Sequence, residues 1–402
     1  MDFKFDLTII GGGIIGLATA MDAVLRFPNL KIAIVEKEND IVRHQSGHNS
    51  GVIHSGIYYR PGSLKARNCV AGASAMVQFC RTHDIPFEIC GKVVVATSDE
   101  QKAGLQELMR RGTANGVPDL AMITPEELRE LEPHCAGVAA LRVPGTGIVD
   151  YKAVAHKYSE LIVNSGGQIL TDCRVNGIKR PSQLILETTQ GSIETTNAVN
   201  CAGLHSDRVA RLSGGHTGLQ IVPFRGEYYD VIPSRQHLVR NLIYPVADPH
   251  FPFLGVHFTR RITGEIEAGP NAVLAFKREG YRKTDFNLED TFETARYPGF
   301  WRMARKYWPD GLAEYYRSLN KQAFAKALQK LVPEIQASDL KPGGAGVRAQ
   351  ALTPQGLLLD DFAIVPSQRM IHVCNVPSPA ATASLVIGRQ VVNMAVEEFG
   401  LT

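Results

Sequence analysis

Leu7-Thr8-Ile9-Ile10-Gly11-Gly12-Gly13-Ile14-Ile15-Gly16-Leu17 is the stretch that decides the fold. A short apolar run enters a Gly-x-Gly-x-x-Gly turn and leaves into a helical pattern, Leu17 to Arg26. The next apolar run, Lys31 to Val35, ends at Glu36 and completes a βαβ unit. Each part has a job. Gly11 permits the tight turn, Gly13 lets the backbone approach a pyrophosphate, and Gly16 lets helix and strand pack closely. The helix start at Ile14 and Ile15 offers free N–H groups and a positive dipole end to phosphates. Glu36, with Lys37 beside it, stands where a ribose-binding acid falls, and an acid there repels a 2′-phosphate. The motif predicts dinucleotide binding. It does not separate FAD from NAD, although its place at the beginning of the chain leans towards FAD.

Outward from this unit, helical patterns cover 64–83, 99–115, 151–165, 206–212, most of 286–332 and 380–399. Thr124-Pro125-Glu126-Glu127 reads as a helix start, with Thr124 as cap and Pro125 in the first position. Strand patterns cover 92–96, 168–180, 184–188, 193–201, much of 219–278 and 341–375. An α/β beginning is thus interrupted by mixed sheet, resumed, interrupted again and resumed at the end. The expected fold is α/β: a discontinuous Rossmann-like nucleotide-binding domain from 1–85, 145–215 and 335–402, with an inserted mixed-sheet α+β substrate domain from 86–144 and 216–334.

The 402 residues suit two joined domains. A net charge of +3 gives no case for nucleic acid. Seven scattered cysteines without a CxxC predict a reducing compartment, no disulfide framework and no metal site. No signal peptide and no membrane span are expected, so the predicted location is cytoplasmic or peripheral on the inner face of the cell membrane.

Further segments bear on the cofactor: Gln45 to Tyr59 (QSGHNSGVIHSGIYY), Val199-Asn200-Cys201-Ala202-Gly203, Gly346-Val347-Arg348, and Asn375 to Ser384 (NVPSPAATAS). With the N-terminal loop they resemble the D-amino-acid-oxidase-like family of FAD-dependent oxidoreductases over nearly the whole chain. Within that family they are similar to the branch that oxidises L-2-hydroxyglutarate, as are Tyr59 to Lys65, Gly147 to Asp150, Arg225 to Tyr229 and Gly255 to Arg260. The resemblance implies FAD held at Gly11, Gly13, Gly16 and Glu36, with Ser46, His48, Ser50 and Gly51 along the ribityl and flavin side. It also implies that Val175 serves adenine, that Ala202, Gly203 and Gly346 line the cofactor, and that Pro379, Ala380, Ala381 and Thr382 begin a helix aimed at the flavin N1–C2=O edge. A helix start there would stabilise the charge of reduced flavin. Covalent attachment is left open, with His48 and His54 as candidate points.

Oxidising a 2-hydroxy acid needs a hydride acceptor, a base for the hydroxyl proton, and donors that hold the carboxylate. Arg348 is the first candidate clamp, because its Gly-Val-Arg setting resembles that of a substrate-binding arginine in glycerol-3-phosphate dehydrogenase. Tyr58 stands where that relative carries a second arginine, which argues against a phosphate ester. Tyr58 and Tyr59 are candidate donors, and Lys65 a candidate for a distal carboxylate. His257, on an alternating strand, is the expected base, with His48 second; Arg225, Tyr228 and Arg260 are expected to line the same sheet. The implied reaction is oxidation of a dicarboxylate hydroxy acid, with a quinone as acceptor ahead of oxygen. An amine oxidase of the glycine- or sarcosine-oxidase kind and a non-catalytic flavin-binding module are the alternatives. The segment 296–332 carries Trp301, Trp308, Arg302, Arg305, Lys306 and Lys321, a basic aromatic helical stretch suited to an anionic lipid surface.

Overall fold

The structure is a computed structural model, and it describes residues 3–180, 183–215, 217–247 and 255–402. The part of the expected strand-rich region at 248–254 lies outside the described residues.

The strand Phe3–Ile10 sits inside an eight-stranded sheet, flanked in parallel by Ile32–Val35 and Gly191–Asn200. Leu7, Ile9, Ile32 and Ile34 are buried because helices cover this part of the sheet, as a parallel sheet requires. The helix Ile14–Arg26 packs against Tyr151–Asn164 and the closing helix Ser384–Phe399. Gly388 makes the last contact close: a Cβ there would stand 2.7 Å from the Ala18 carbonyl carbon. The Gly191–Asn200 strand also receives Met370–Asn375 in parallel, so the end of the chain returns beside its beginning.

A nine-stranded mixed sheet forms the second body. Its path runs Val273–Leu274, Gln220–Val231, Ile266–Gly269, His257–Arg260, Ile243–Pro245, Lys92–Ala96, Ala139–Val143, Ala121–Ile123. Leu340–Leu352 pairs along Gln220–Val231 from Leu352↔Gln220 to Leu340↔Val231. The long antiparallel ladder binds 340–352 to the second sheet, and the chain crosses to the first sheet only after it.

Alternation divides the second sheet into two faces. Ile243, Phe258, Ala268 and Val93 pack on Phe324 and Leu328 of the helix Lys321–Leu328. Tyr244, His257, Tyr228 and Arg348 face the other way, towards the first sheet. The predicted cap at Thr124 forms as a full capping box with Glu127, and Pro125 opens the helix Pro125–Leu131. In the 286–332 stretch the structure has three helices: Leu288–Arg296, Pro298–Leu319 and Lys321–Leu328.

Candidate active site

A cavity of ≈ 1790 Å³ runs between the two sheets. At one end it is lined by Gly11, Gly13, Ile14, Ile15, Glu36 and Lys37 from the βαβ unit, with Val175 opposite and Ala202 and Gly203 beside them. Much of this end is backbone. Gly16 does not line it. A Cβ at Gly16 would fall 2.0 Å from the Gly11 carbonyl oxygen, so Gly16 works by letting the helix seat against the turn. Glu36 is set in place by backbone donors, accepting from Gly12 N at 2.7 Å and Glu38 N at 2.9 Å. Ser46 Oγ accepts from Ile14 N at 2.9 Å and so ties the next loop to the helix start. The open backbone, the buried acid and the helix start fit a dinucleotide. Lys37 lines the cavity, but its ammonium is held by Glu38 and Glu279. Glu38, His44 and Glu279 approach one another at metal-ligating distance, and the Lys37 ammonium already sits on both carboxylates.

Midway, the cavity is lined by Ser46, His48, Ser50, Gly51 and Gly346 on one side and Pro379, Ala380, Ala381 and Thr382 on the other. His48 stacks on Tyr281 with ring centroids 4.3 Å apart, and its Nδ1 lies 3.0 Å from the His44 carbonyl. Burial lowers the His48 pKa. The segment 380–383 is a run of turns, and the closing helix begins at Ser384. This corrects the expected helix start at Ala380. Thr382 is tethered sideways: its Oγ1 lies 2.9 Å from Tyr151 Oη and accepts from His54 N at 3.1 Å. These bonds hold the turn against the strand Val52–Ile53 before the helix can start.

At the far end the sheet supplies His257, Tyr244, Tyr228 and Arg348, and the loop after Val52–Ile53 supplies His54, Tyr58 and Tyr59. Lys65 joins them from the helix Leu64–Thr82, with Nζ 2.8 Å from Asp360 Oδ1. Tyr228 lies at a register shift between Glu227 and Tyr229, an irregularity of the kind that re-aims a side chain. His257 is buried beside Tyr244, ring centroids 3.9 Å apart, with Nδ1 2.9 Å from the Gly255 carbonyl. Burial lowers its pKa to about 3; the Gly255 bond opposes this, and the charges of Arg348 and then Lys92 add to it. His54 is likewise pushed to about 3, chiefly by burial and then by Lys92, His257 and Arg348. Burial raises Tyr228 to about 12 against the pull of Arg348.

Two expected residues are elsewhere. Arg225 is buried on the opposite face from Gly226 and Tyr228, bonded to Glu227 and to the Arg282 carbonyl. Arg260 follows Phe258 to the helix-packed face and pairs with Glu88 and Asn241. In each case the two-residue period decides: Arg225 is three positions from Tyr228, and Arg260 three from His257. Sequence reading missed Tyr244, Tyr151 and the buried Lys92 beneath the far end. The alternation of Ile243-Tyr244 gave a usable signal for Tyr244. A lysine opening the apolar strand Lys92–Ala96 was a signal too.

The profile of the family described as FAD dependent oxidoreductase (DAO) matches residues 6–394. The L-2-hydroxyglutarate dehydrogenase of Indibacter alkaliphilus is 54% identical over 401 residues, covering 99% of this chain and 100% of its own. That of Escherichia coli K12 is 45% identical over 391 residues, covering 97% of this chain and 92% of its own. Among solved structures, the FAD-bound L-alpha-glycerophosphate oxidase of Mycoplasma pneumoniae superposes with a TM-score of 0.80 at 23% identity, covering 97% of this chain and 94% of its own. That likeness extends to the whole two-sheet architecture around the cavity. The chain belongs to the DAO family of FAD dependent oxidoreductases, in the branch of the L-2-hydroxyglutarate dehydrogenases.

Proposed function

We propose that this FAD enzyme oxidises L-2-hydroxyglutarate to 2-oxoglutarate and passes the electrons to a membrane quinone. When bound, FAD supplies the hydride acceptor. The observation that carries the reading is that His257, Tyr228 and Arg348 of the second sheet line the same cavity as the turn Pro379–Thr382. Arg348 offers a planar fork to the carboxylate next to the hydroxyl carbon. The Gly255 carbonyl only accepts, so His257 Nδ1 carries the hydrogen and Nε2 keeps a lone pair. That lone pair takes the hydroxyl proton, and the substrate's two negative charges offset the burial that disfavours the imidazolium. His48, whose Nδ1 also meets a carbonyl, is the second candidate base. Tyr58, Tyr59 and Lys65 lie at the end suited to the distal carboxylate. The turn at 379–382 and the loop at 46–51 hold the cofactor side.

The quinone part rests on the surface beside the cavity. Arg302, Lys306 and Tyr307 of the helix Pro298–Leu319 line the cavity, and the same helix exposes Trp301, Trp308, Leu312, Tyr316 and Leu319. Phe286, Leu288 and Phe292 extend the exposed apolar side chains along the preceding segment. Exposed apolar and aromatic side chains on a helix that also carries Arg302, Arg305 and Lys306 suit an anionic lipid interface. Among the described residues no helix is long and apolar enough to cross a membrane.

The test is anaerobic mixing of the holoenzyme with each enantiomer of 2-hydroxyglutarate. Loss of the oxidised-flavin band with the L form and not the D form is expected. An unmoved band with the L form, or bleaching by glycine or sarcosine instead, overturns the substrate assignment. Cosedimentation with anionic vesicles, lost on replacing Trp301 and Trp308 by serine, is expected for the membrane part. Sedimentation independent of the vesicles or of both tryptophans overturns it.

A further inference from the structure

Lys92 opens the strand Lys92–Ala96, whose five residues are all buried. Its side chain runs beneath the far end of the cavity, and Lys92 is 3% exposed. A buried ammonium ordinarily has a carboxylate beside it. Here the neighbours are ring faces: Nζ lies 4.7 Å from the Tyr58 centroid and 4.8 Å from the Tyr244 centroid. Among the described residues no carboxylate pairs with it, and the titratable group whose ionised form would favour its protonation is the Cys69 thiol, which burial keeps neutral. Both rings line the cavity. The Tyr58 hydroxyl is buried and has no hydrogen-bond partner. A cation without a counter-charge and a phenol without an acceptor therefore meet at the end of the cavity away from the dinucleotide loop.

We propose that Lys92 is the second positive charge of the substrate site, acting through the faces of Tyr58 and Tyr244 to select a substrate with a second carboxylate over one with a single carboxylate. It is a positioning residue, since the tyrosines stand between it and the cavity. Arg348 meets the first carboxylate, and Lys92 supplies the field that balances the distal one. The cation polarises the tyrosine rings, and through them its field reaches the cavity. The proposal rests on the dicarboxylate reading above.

Burial depresses Lys92 to about 7, so its charge is present below neutrality and fades above it. The groups facing it do not titrate in that window. His54 and His257 are held near about 3, Cys69 is raised to about 12, and Tyr58 and Tyr244 are raised by burial. Lys65, ion-paired with Asp360, and Arg348 are the other basic groups on this side of the cavity.

The experiment uses glutarate and pentanoate, two five-carbon acids that differ in the second carboxylate. Their dissociation constants are read from perturbation of the flavin spectrum of the holoenzyme, without turnover. Lys92→Met is expected to weaken glutarate on the order of 10- to 30-fold, as for a unit charge roughly 8 Å away, and pentanoate by less than about twofold. Lys92→Arg restores most of the glutarate affinity. In the unsubstituted enzyme the preference for glutarate falls as pH rises from 6 to 8.5, and in Lys92→Arg it stays flat. Equal weakening of both acids marks a structural lysine and overturns the proposal, as does no change in either. If Lys92→Met does not fold, the pH profiles of the other two enzymes decide alone. A failure of the reading beneath it looks different: L-2-hydroxyglutarate then leaves the flavin oxidised, whatever the two affinities are.

Discussion

At the dinucleotide end the cavity is lined by the small residues Gly11, Gly13, Ala202 and Gly203, with one acid set by two N–H groups. At the other end it is lined by large residues from separate places: His257, Tyr244, Tyr228 and Arg348 from four strands, and His54, Tyr58 and Lys65 from a loop and a helix. The difference is physical. A surface of bare backbone demands glycines at fixed spacing, because only a missing Cβ lets chain and ligand approach. A surface of side chains demands only that each strand show the right face. Fixed spacing leaves a local signature in the sequence, and strand phase leaves one only when the pairing is known.

The sharpest way to break this contrast is to add one carbon to the backbone end. In Gly16→Ala the new Cβ meets the Gly11 carbonyl oxygen at 2.0 Å, with Cys201 Cβ behind at 3.4 Å. The clash is with backbone, since the Gly11 carbonyl carbon also stands within 3.2 Å, and it cannot be relieved by turning a flexible side chain. The protein is expected to purify with flavin reduced by more than about tenfold, and with stability lowered by roughly 1–3 kcal/mol through overpacking. The measurement is the ratio of flavin to protein absorbance. Full flavin content would mean that the turn adjusts and that the backbone end is not the rigid part.

At the substrate end the matching change is Arg348→Met. It should leave flavin content unchanged and lower kcat/KM for L-2-hydroxyglutarate on the order of 100-fold, the cost of stripping a charge partner from a carboxylate. Steady-state kinetics with an artificial acceptor measures it. If flavin is lost instead, the two ends are not separable in the way their construction suggests.

The same contrast explains what could be read from the chain. Gly11, Gly13 and Glu36 were legible because one contiguous βαβ unit carries all three. That Arg348, His257 and Tyr228 line one cavity was legible through family resemblance and strand alternation together. Arg225 and Arg260 were misplaced because the residue types were right and the phase was not: an odd spacing turned each to the far face. The pairing of Leu340–Leu352 with Gln220–Val231 was not legible because the partner lies more than a hundred residues away, and no local pattern reports it. The turn at 380–383 was read as helix because its cause, the Tyr151 and His54 bonds to Thr382, is also distant.

A smaller effect separates the ends by pH. His54 and His257 both lie at the substrate side and both stay neutral in the fold down to about 3. In the unfolded chain they take up protons near 6.5. As pH falls from about 6.5 towards 3 the unfolded state therefore binds more protons, and stability falls with it. The melting temperature should drop by several degrees between pH 7 and pH 4.5. Replacing both histidines by glutamine should flatten that part of the profile, read by differential scanning calorimetry. A profile as steep in the double variant would move the acid sensitivity to other groups.

The smallest expected effect belongs to Arg260, and it tests strand phase most directly. Its side chain is 20% exposed and pairs with Glu88, which is 49% exposed. Pairs of that kind contribute about 0–1 kcal/mol, because water screens them and two long side chains must be held still. Arg260→Gln should therefore cost less than about 1 kcal/mol in denaturant unfolding and change kcat/KM by less than about twofold. Three residues away, His257 faces the cavity, so the same substitution made there should cost on the order of 100-fold or more in kcat, the usual contribution of a positioned base. Both residues share the strand His257–Arg260, and their chemistry alone made each a plausible site residue. A tenfold or larger rise in KM for Arg260→Gln would mean that its guanidinium reaches the cavity during turnover. The two-faced reading of the second sheet would then fail at that strand.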